Sequence, residues 1–375
     1  MEKKVRIGII GMGSMGCKYA EMILKGQAPG LELAAVTRIN KNDAEHIRKL
    51  LPEQVPVFYD ENELLAYEKL DAVLIATPHY AHEKHTIMAM QKGLHVLCDK
   101  PMGVYTKQAR SIIEEFERHD LIFSMMFNQR TNPVYVKIKE IVESGRYGAL
   151  KRVNWIITDW YRPEAYYKSS AWRATWEKDG GGVLLNQCPH NLDLLQWICG
   201  MPTKITAFCH EGKYHDIQVE DEVTAYMEFQ GGATGVFVAS TGEGAGTNRL
   251  EIVMDNAKLI YEGGELRIFV LKEDELTYRK TSQNFFDKME GAWEIIEIKG
   301  ENPAHSGILQ NFAEAILERS SLIAPGVEGM NSLMLSNAMY LSSWKNKTIE
   351  LPINDEEFVV ELQKKITQYS AEGTK

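Results

Sequence analysis

Cysteine is scarce in this chain and does not form a recognisable framework. The 375 residues include five cysteines, and no two of them make a CxxC pair. An odd number of widely spaced thiols excludes a disulfide-stapled scaffold, and it offers no ligand set with the spacing of a zinc site. The sequence therefore predicts buried thiols in a reducing compartment and no bound metal.

Long apolar runs and an excess of positive charge are also missing. No uninterrupted apolar stretch is long enough to cross a bilayer, and residues 1–4 lead into the first predicted strand without an apolar leader. The net charge is −10, whereas a surface for nucleic acid or for an anionic membrane needs a basic stripe. We therefore expect a cytoplasmic protein that binds neither.

The first third of the chain alternates between strand-like and helical patterns. Strands are predicted at 5–10, 31–37, 55–58, 71–76, 94–97 and 121–125, with helical stretches between them. Such alternation is typical of a doubly wound parallel sheet with helices on both faces. The first domain is therefore an α/β domain.

After residue 127 the pattern changes to a helix and a series of strand-like segments. Gly231-Gly232 and Gly263-Gly264 each separate two such segments and are typical of hairpin turns. The sequence predicts a second, α+β domain built on a large, mostly antiparallel open sheet. Because no linker is visible, the division into 1–127 and 128–375 rests on the change of pattern alone.

A glycine-rich turn joins the first predicted strand to the first helix. Gly11-x-Gly13-x-x-Gly16 has the spacing of a dinucleotide-binding turn, in the context that this motif requires. The three glycines allow a tight turn, approach of a pyrophosphate and close helix–strand packing, and the helix N-terminus attracts the phosphates. The alternative is a glycine turn without a ligand. The residues predicted to bind the cofactor here are Gly11, Met12, Gly13, Ser14 and Met15.

The end of the second strand bears on the choice between NAD and NADP. NAD sites usually place an acidic residue there for the ribose 2′-hydroxyl, but this chain has Thr37-Arg38. A hydroxyl followed by a guanidinium suits a 2′-phosphate. We therefore predict an NAD(P) site in which NADP is favoured, with Arg38 as an ordinary surface residue as the alternative.

Several motifs together resemble the glucose–fructose oxidoreductase/inositol dehydrogenase/rhizopine catabolism (Gfo/Idh/MocA) family. They extend from the N-terminus to about residue 202, and their combination is far more specific than any one of them. The matching segments are Gly8-x-x-Gly11-x-Gly13-x-x-Gly16, Ala76-Thr77-Pro78-His79-x-x-His82, Gly93-x-His95-Val96-x-Cys98-Asp99-Lys100-Pro101, Asn128-x-Arg130 and Gly180-Gly181-Gly182-Val183-Leu184-Leu185-Asn186-x-x-x-His190-x-x-Asp193.

The resemblance implies a Rossmann domain that binds NAD(P) and a second domain that binds the substrate. It also implies hydride transfer between the nicotinamide and a secondary alcohol or ketone of a sugar, inositol or related polyol. The open sheet of the second domain often mediates dimers or tetramers in this family, so a homodimer or homotetramer is expected. Further cofactor contacts are implied for Thr77, Pro78, His79, His82, Asp99, Lys100 and Asn128.

Lys100 and His190 are the expected catalytic residues. An alcohol oxidation needs a base for the hydroxyl proton, and a lysine beside the positive nicotinamide has its pKa lowered toward a useful range. His190, at the start of an apolar helix, is the second candidate, with a core or capping histidine as the alternative. The sequence does not decide which of the two takes the proton.

Two residues depart from the family pattern. Asp99 replaces the usual glutamate before the lysine, and the shorter acid is expected to stay near it. Asn186 replaces an aspartate that many relatives carry four residues before the histidine. Asparagine cannot exchange a proton, so it is expected to bind a substrate hydroxyl and to orient His190.

An aromatic and basic cluster before the glycine run suits a sugar, which presents flat C–H faces and many hydroxyls. Its members are Trp160-Tyr161-Arg162, Tyr166-Tyr167 and Trp172-Arg173. A place in the sheet core or in a subunit interface is the alternative for the tryptophans.

Asp193, one helical turn after His190, is expected to hold either His190 or the substrate, with a structural role equally open. The expected substrate-binding residues are Asn128, Trp172, Arg173, Asn186 and Asp193.

Two other functions stay open at this point. One is glycoside cleavage with a bound NAD that is reduced and reoxidised in each turnover. The other is a sugar sensor that binds a dinucleotide without turnover, which the retention of Lys100 and His190 disfavours. Convergence of His79, His82 and His85 on a metal is less expected than neutral pocket or surface roles.

Overall fold

The structure, a computed structural model, describes residues 3–38, 44–170, 172–286 and 288–372. Its first part alternates strands and helices as the sequence predicts. The strands are β1 (Val5–Ile10), β2 (Leu31–Thr37), β3 (Val57–Phe58), β4 (Ala72–Ile75), β5 (His95–Cys98) and β6 (Phe123–Met125). The helices are α1 (Ser14–Leu24), α2 (Ala44–Leu50), α3 (Glu61–Leu65), α4 (His82–Gln91) and α5 (Thr106–Phe116).

The remainder of the chain holds the other sheet and most of the longer helices. In chain order it contains α6 (Pro133–Glu143), β7 (Leu150–Ile157), α7 (Glu164–Lys168), α8 (Pro189–Cys199), β8 (Pro202–Glu211), β9 (Glu220–Phe229), β10 (Thr234–Ser240), β11 (Asn248–Met254), β12 (Ala257–Glu262), β13 (Glu265–Leu271), α9 (Glu275–Thr281), β14 (Gly291–Ile295), α10 (Ala304–Ile316), α11 (Gly329–Lys345), β15 (Ile349–Glu350) and α12 (Asp355–Glu372). No helix among the described residues is both long and apolar enough to cross a membrane.

The first sheet has six parallel strands in the order β3-β2-β1-β4-β5-β6. This is the doubly wound order of dinucleotide-binding domains. All four residues of β4 are buried, as expected for a parallel strand covered on both faces. Ile10 of β1 pairs with Ile75 of β4, which pairs with Cys98 of β5. The three strands therefore end in line, and the residues that follow them leave the sheet at the same edge.

The second sheet has nine strands in the order β14-β13-β12-β11-β7-β10-β9-β8-β15. Every neighbouring pair is antiparallel except β7 and β10, which are parallel. Residues of β9 alternate between buried and exposed positions, so one face of the sheet is packed and the other is open. Gly231-Gly232 and Gly263-Gly264 have positive φ and join β9 to β10 and β12 to β13. The predicted hairpins and the predicted fold class are both confirmed.

The chain divides into two compact units, and the first is discontinuous in sequence. It comprises residues 1–132, 178–180 and 302–333, and the second comprises residues 133–177, 181–301 and 334–375. The division expected from the sequence is linear, whereas the first unit also takes up residues from far along the chain. Nothing in the composition of 302–333 marks them as part of it.

Specific contacts hold residues 302–333 in the first unit. The side-chain Oε1 of Gln310 on α10 accepts a hydrogen bond of 2.9 Å from the Gly30 amide. The Ser124 hydroxyl in β6 donates to the Ala324 carbonyl at 2.8 Å. Gly326 lies so close to Phe123 that an added Cβ would be 2.1 Å from its ring. The contacts of Ser124 and Phe123 cover β6, the edge strand of the first sheet.

The cysteines are free thiols, and none forms a disulfide. Cys98 and Cys188 are buried, whereas the other three are partly exposed. Burial raises the pKa of Cys98, so this thiol stays protonated at neutral pH. In the part of the chain that the structure describes, no three His, Cys, Asp or Glu side chains come together as a metal site.

Candidate active site

The glycine-rich turn after β1 has the geometry that its motif predicts. Gly11 has φ +99°, and a Cβ there would lie 2.7 Å from the Ala76 carbonyl oxygen. A Cβ on Gly16 would lie 2.0 Å from the Gly11 carbonyl oxygen, so α1 packs tightly on the turn. A Cβ on Gly13 would meet nothing within 4 Å. The first and third glycines are required by packing, whereas the second faces open space.

A pyrophosphate fits this open space. Gly13 is the N-cap of α1 and provides no side chain to accept from the helix amides, so the first-turn N–H groups remain available as anion donors. Gly13 and Ser14 are exposed, Met15 is half-buried and Met12 is buried. The residues present therefore suit a dinucleotide, although the Met12 side chain is packed inside the unit.

Thr37 and Arg38, at the end of β2, both contact the glycine-rich turn. The buried Thr37 hydroxyl accepts a hydrogen bond of 3.3 Å from the Gly11 amide. The Arg38 guanidinium donates to the Met12 carbonyl through Nη1. Thr37 thus supports the turn, while Arg38 brings a positive charge to its side.

His82 connects the two loops that leave β4 and β5. Its Nδ1 lies 2.7 Å from the Pro101 carbonyl oxygen, and its Nε2 lies 2.8 Å from the Thr77 carbonyl oxygen. Burial lowers the pKa of His82, although nearby Asp99 opposes that shift. A neutral imidazole has one N–H and donates to only one of these carbonyls. His82 is therefore placed to fix the Thr77-Pro78 turn against the Lys100-Pro101 segment.

His79 and His85 have separate partners. His79 is buried, and its Nδ1 lies 3.0 Å from the Asp179 carbonyl oxygen and 3.4 Å from its Oδ1. His85 Nδ1 lies 3.2 Å from the Thr77 hydroxyl. These contacts give both imidazoles a role in the packing of the first unit.

Lys100 follows β5 at the same sheet edge as the glycine-rich turn. Its amide donates to the Asp99 carboxylate at 2.9 Å. Burial raises the pKa of Asp99, and the nearby Lys100 and His82 oppose that shift. Asp99 is 8% exposed, so the shorter acid stays against the lysine segment as expected. The side chain of Lys100 is half-buried.

His305 is a neighbour of Lys100 that the sequence did not indicate. Burial, together with the positive charges of Lys18 and Lys100, lowers the pKa of His305 to about 4. Its ring lies 5.8 Å from that of Tyr19, centroid to centroid. His305 is therefore a neutral imidazole in the electrostatic field of Lys100. It comes from α10, about 200 residues along the chain, so no local pattern marks it.

Asn128 and Arg130 lie in a short turn after β6 and differ in role. Asn128 is 5% exposed, and among the described residues its Oδ1 has no hydrogen-bond partner. A buried acceptor without a donor is typical of a ligand contact. Arg130, which the family resemblance places at the pocket rim, is buried and ion-paired with Glu328. This pair gives Arg130 a structural role.

Several of the predicted substrate residues meet around Tyr166 in the second unit. The Tyr166 hydroxyl donates to Asn186 Oδ1 at 3.0 Å and accepts from Arg173 Nη1 at 2.8 Å. The Arg173 guanidinium carbon lies 4.5 Å from the Trp172 ring centroid. Asn186, Arg173 and Trp172 are thus brought together. Tyr166 was noted only as part of an aromatic cluster, and it is the residue that connects them.

His190 and Asp193 lie on α8. His190 follows Pro189 in the first turn and is half-buried. Asp193 is 1% exposed, and its Oδ1 accepts a hydrogen bond of 3.1 Å from Gln196 Nε2 on the same helix. This contact ties the Asp193 carboxylate to its own helix.

A buried glutamate that sequence reasoning missed organises the glycine run. Glu220 accepts from the Gly182 and Leu184 amides at 2.9 Å each and from the Tyr340 hydroxyl at 2.8 Å. Gly182 is required because a Cβ there would lie 1.9 Å from the Glu220 carbonyl oxygen. These bonds fix the start of the π-helical turn Val183–Gln187, which carries Asn186. A fully buried acid in a strand has no recognisable sequence pattern.

Known proteins are similar to this chain over almost its whole length. It is 23% identical over 362 residues to scyllo-inositol 2-dehydrogenase (NAD(+)) of Bacillus subtilis, covering 94% of this chain and 98% of that one. It is 23% identical over 360 residues to the scyllo-inositol 2-dehydrogenase (NADP(+)) of the same organism, covering 92% and 96%. The solved structure of the WlbA dehydrogenase from Bordetella pertussis, in complex with NADH and UDP-GlcNAcA, shares the fold with a TM-score of 0.78 at 23% identity, covering 94% and 100%.

Two family models match the chain in succession. Residues 5–127 match the model of an oxidoreductase family with an NAD-binding Rossmann fold. Residues 135–260 match the model of the GFO/IDH/MocA C-terminal domain. Together the two matches span well over half of the sequence, and the chain therefore belongs to the GFO/IDH/MocA family of NAD-binding oxidoreductases.

Proposed function

We propose that this chain transfers a hydride between NAD(P) and a secondary alcohol or ketone of a sugar, inositol or related polyol. The observation that carries the proposal is the position of Lys100. It follows β5, whose end is in line with those of β4 and β1, so Lys100 and the glycine-rich turn share one edge of the sheet. In doubly wound sheets the ligand binds outside the carboxyl ends of the strands.

The first unit is proposed to bind the cofactor and to supply one proton-transfer group. The turn from Gly11 to Met15 holds the pyrophosphate at the N-terminus of α1, and Asn128 offers a buried acceptor. The nicotinamide supplies the site that accepts or gives the hydride. Lys100 as an ammonium polarises and protonates a ketone oxygen, and as an amine it takes the proton of an alcohol.

The second unit is proposed to bind the substrate hydroxyls. Asn186 and Arg173 are held by Tyr166, and His190 stands one turn further along on α8. His190 orients the reacting hydroxyl and is the second candidate for the proton transfer. Because Asn186 is not a carboxylic acid, the proton is carried by Lys100 or His190.

We further propose that NADP is favoured over NAD. Arg38 stands at the end of β2, where NAD sites place an acid, and its guanidinium lies beside the glycine-rich turn. A guanidinium is suited to bidentate contact with a 2′-phosphate. The B. subtilis relatives named above use NAD(+) and NADP(+) respectively, so both cofactors occur at this level of similarity.

A homo-oligomer formed through the second sheet is also proposed. Phe208, Thr224, Val238 and Ile156 pair in register across β8, β9, β10 and β7. They point to the open face, where Phe208 is 56% and Ile156 36% exposed. Apolar side chains grouped on one face of an open sheet support contact with a second copy.

Substitution of Lys100 tests the proposed chemistry. A panel of inositols, aldoses and sugar acids is assayed with NAD(+) and NADP(+) by absorbance at 340 nm. We expect Lys100→Met to lower kcat/KM by roughly 10²- to 10⁴-fold, with cofactor affinity changed only a few-fold. Lys69→Met removes an exposed lysine of the same unit and is expected to leave turnover unchanged. Full turnover by Lys100→Met would contradict the assignment.

A further inference from the structure

Two arginines in the second unit are stacked on the same tyrosine. The guanidinium carbons of Arg162 and Arg173 lie 5.0 Å and 4.4 Å from the Tyr166 ring centroid. Arg162 also lies 5.5 Å from the Trp160 centroid, and Arg173 lies 4.5 Å from the Trp172 centroid. Trp160, Arg162, Tyr166, Trp172 and Arg173 are called the arginine–aromatic cluster below.

Neither positive charge of this cluster is neutralised nearby. Among the described residues, no carboxylate oxygen lies within 4 Å of a guanidinium nitrogen of Arg162 or Arg173. Arg152, in the same unit, is by contrast paired with Glu251 at 2.9 Å. The two guanidiniums thus form a local positive charge in a chain whose net charge is −10.

Two acids of the second unit, Glu164 and Asp221, have other partners. Glu164 lies 3.8 Å from Lys168 and accepts from the Asp216 amide at 3.3 Å. Asp221 accepts from the amides of Lys213 and Tyr214 and lies 2.9 Å from His215 Nδ1. These two carboxylates therefore contact groups other than the two guanidiniums.

Both arginines keep donors that the fold does not use. Arg162 Nη1 donates to the Tyr161 carbonyl at 3.0 Å, and Arg173 Nη1 donates to the Tyr166 hydroxyl at 2.8 Å. The Nε–H groups of both are buried and have no acceptor in the described part of the chain. Buried donors without acceptors lower stability, so this arrangement suits the binding of a ligand better than it suits the fold alone.

The cluster adjoins the proposed substrate residues. The Tyr166 hydroxyl and Gln187 Nε2 both donate to Asn186 Oδ1, at 3.0 Å and 3.3 Å. The oxygen of Asn186 therefore accepts hydrogen bonds within the protein. Trp160 Nε1 donates to Asn191 at 3.3 Å, one residue from His190. The cluster is thus linked through Trp160 to α8, the helix that carries His190.

We propose that the substrate carries an oxyanion group, either a carboxylate or a phosphate, that binds between Arg162 and Arg173. This inference rests on the proposed dehydrogenase function and gives its substrate class: sugar acids or sugar phosphates rather than neutral sugars. The fork of a guanidinium matches both oxyanions, and half-buried charge-assisted hydrogen bonds are stronger than neutral ones. The aromatic rings hold the guanidiniums in place and pack on the C–H faces of the sugar.

A matched substrate series tests this proposal. The full chain is assayed with D-glucose, D-glucuronate and D-glucose 6-phosphate, and with the corresponding galactose compounds, in the presence of NAD(+) or NADP(+). We expect kcat/KM for at least one anionic member to exceed that of its neutral parent by about tenfold or more, and this preference to weaken as salt is added. The uronate and phosphate series show which oxyanion is bound.

Variants locate the preference in the cluster. Arg173→Gln and Arg162→Gln are each expected to lower kcat/KM for the anionic substrate by roughly 10- to 100-fold, with a smaller effect on the neutral parent. Arg173→Lys keeps the charge and is expected to recover part of the loss. Arg152→Gln, the control outside the cluster, is expected to leave the preference unchanged.

Binding without turnover separates this inference from the proposed function. Calorimetry measures the affinity of glucuronate and glucose 6-phosphate for the chain saturated with NADH. Binding that is weakened by Arg173→Gln, without turnover of any sugar, would support the anion site and overturn the dehydrogenase. Turnover of neutral sugars with equal or better kcat/KM, or binding of the anions no tighter than of glucose, would overturn the anion site.

Discussion

Arg38 determines, in our proposal, which dinucleotide the first unit prefers. Its side chain can act in two ways. The guanidinium donates to the Met12 carbonyl, and its charge stands where the ribose of a bound cofactor is expected. The first contact supports the glycine-rich turn for either cofactor. The second acts only on a cofactor with a 2′-phosphate. Substitution at this residue therefore separates support of the turn from recognition of the phosphate.

We expect Arg38→Gln to raise the Kd for NADP(+) by roughly 10- to 100-fold, because a hydrogen bond to a charged group contributes about 1.5–3 kcal/mol. The Kd for NAD(+) is expected to change about threefold or less, and Arg38→Lys is expected to retain part of the NADP(+) affinity. Titration of the intrinsic tryptophan fluorescence with each cofactor measures these constants. Equal weakening for both cofactors would show that Arg38 acts only on the turn.

The residues around the cofactor were predictable from sequence to the extent that their roles depend on local spacing. Gly11, Gly13 and Gly16 are constrained by one turn, so their pattern predicts their geometry. His305 reaches Lys100, and Glu220 reaches Gly182, only through the tertiary fold. A single sequence contains no period or spacing that brings such distant residues together.

The π-helical turn Val183–Gln187 is the element that presents Asn186, and Glu220 is the group that fixes it. Burial raises the pKa of Glu220 to about 8, while its hydrogen bonds from the Leu184 and Gly182 amides and the Tyr340 hydroxyl oppose that shift. The ordinary pKa of a glutamate is 4.5. Between that pH and about pH 8, the folded chain therefore keeps a proton on Glu220 that the unfolded chain has released. Stability from this group is present at acidic pH and is lost as the pH rises through that window.

Glu220→Gln removes this titration. We expect the free energy of unfolding of the wild-type chain to fall between about pH 5 and pH 8 more steeply than that of the variant, since glutamine resembles the protonated acid at every pH. Urea unfolding at several pH values measures the difference. Glu228→Gln, an exposed position of the same strand, serves as the control. Parallel curves for wild type and Glu220→Gln would contradict the assignment.

Truncation of the Glu220 side chain tests its role as a hydrogen-bond acceptor. Glu220→Ala leaves three buried donors without their acceptor, and each is expected to lower the free energy of unfolding by about 1–3 kcal/mol. Urea unfolding again gives the value. A loss below about 1 kcal/mol would show that the turn is fixed by other contacts.

Regular elements were easier to predict than irregular ones. The strands of both sheets and the hairpins at Gly231-Gly232 and Gly263-Gly264 follow from alternation and turn chemistry, which act over a few residues. The π-helical turn was not predicted, because it depends on an acid that comes more than thirty residues later. The membership of α10 in the first unit was not predicted either, since an amphipathic helix does not specify the sheet that it covers.

At the scale of the whole molecule, the open face of the nine-stranded sheet is the surface proposed for self-association. Phe208 and Ile156 lie in one row across the sheet, and Tyr226 lies beside them with 43% of its surface exposed. A charged side chain in that row would be desolvated by a second copy, which is strongly unfavourable.

We expect Phe208→Glu to convert an oligomer into a monomer at micromolar concentration, as measured by size-exclusion chromatography with light scattering. Phe286→Glu is the matched control, because Phe286 is 96% exposed but lies outside the strands. A wild-type chain that is already monomeric, or a Phe208→Glu variant with an unchanged mass, would argue against this surface.

The discontinuity of the first unit has a consequence for synthesis on the ribosome. Residues 1–132 leave the exit tunnel first. The hydrogen bonds from β6 to Ala324 and from Gly30 to Gln310 form only after residues 302–333 have followed. The nascent Rossmann sheet therefore waits, with one edge strand uncovered, until most of the second unit has been translated. Completion of the cofactor-binding unit is in this way coupled to the synthesis of nearly the entire polypeptide.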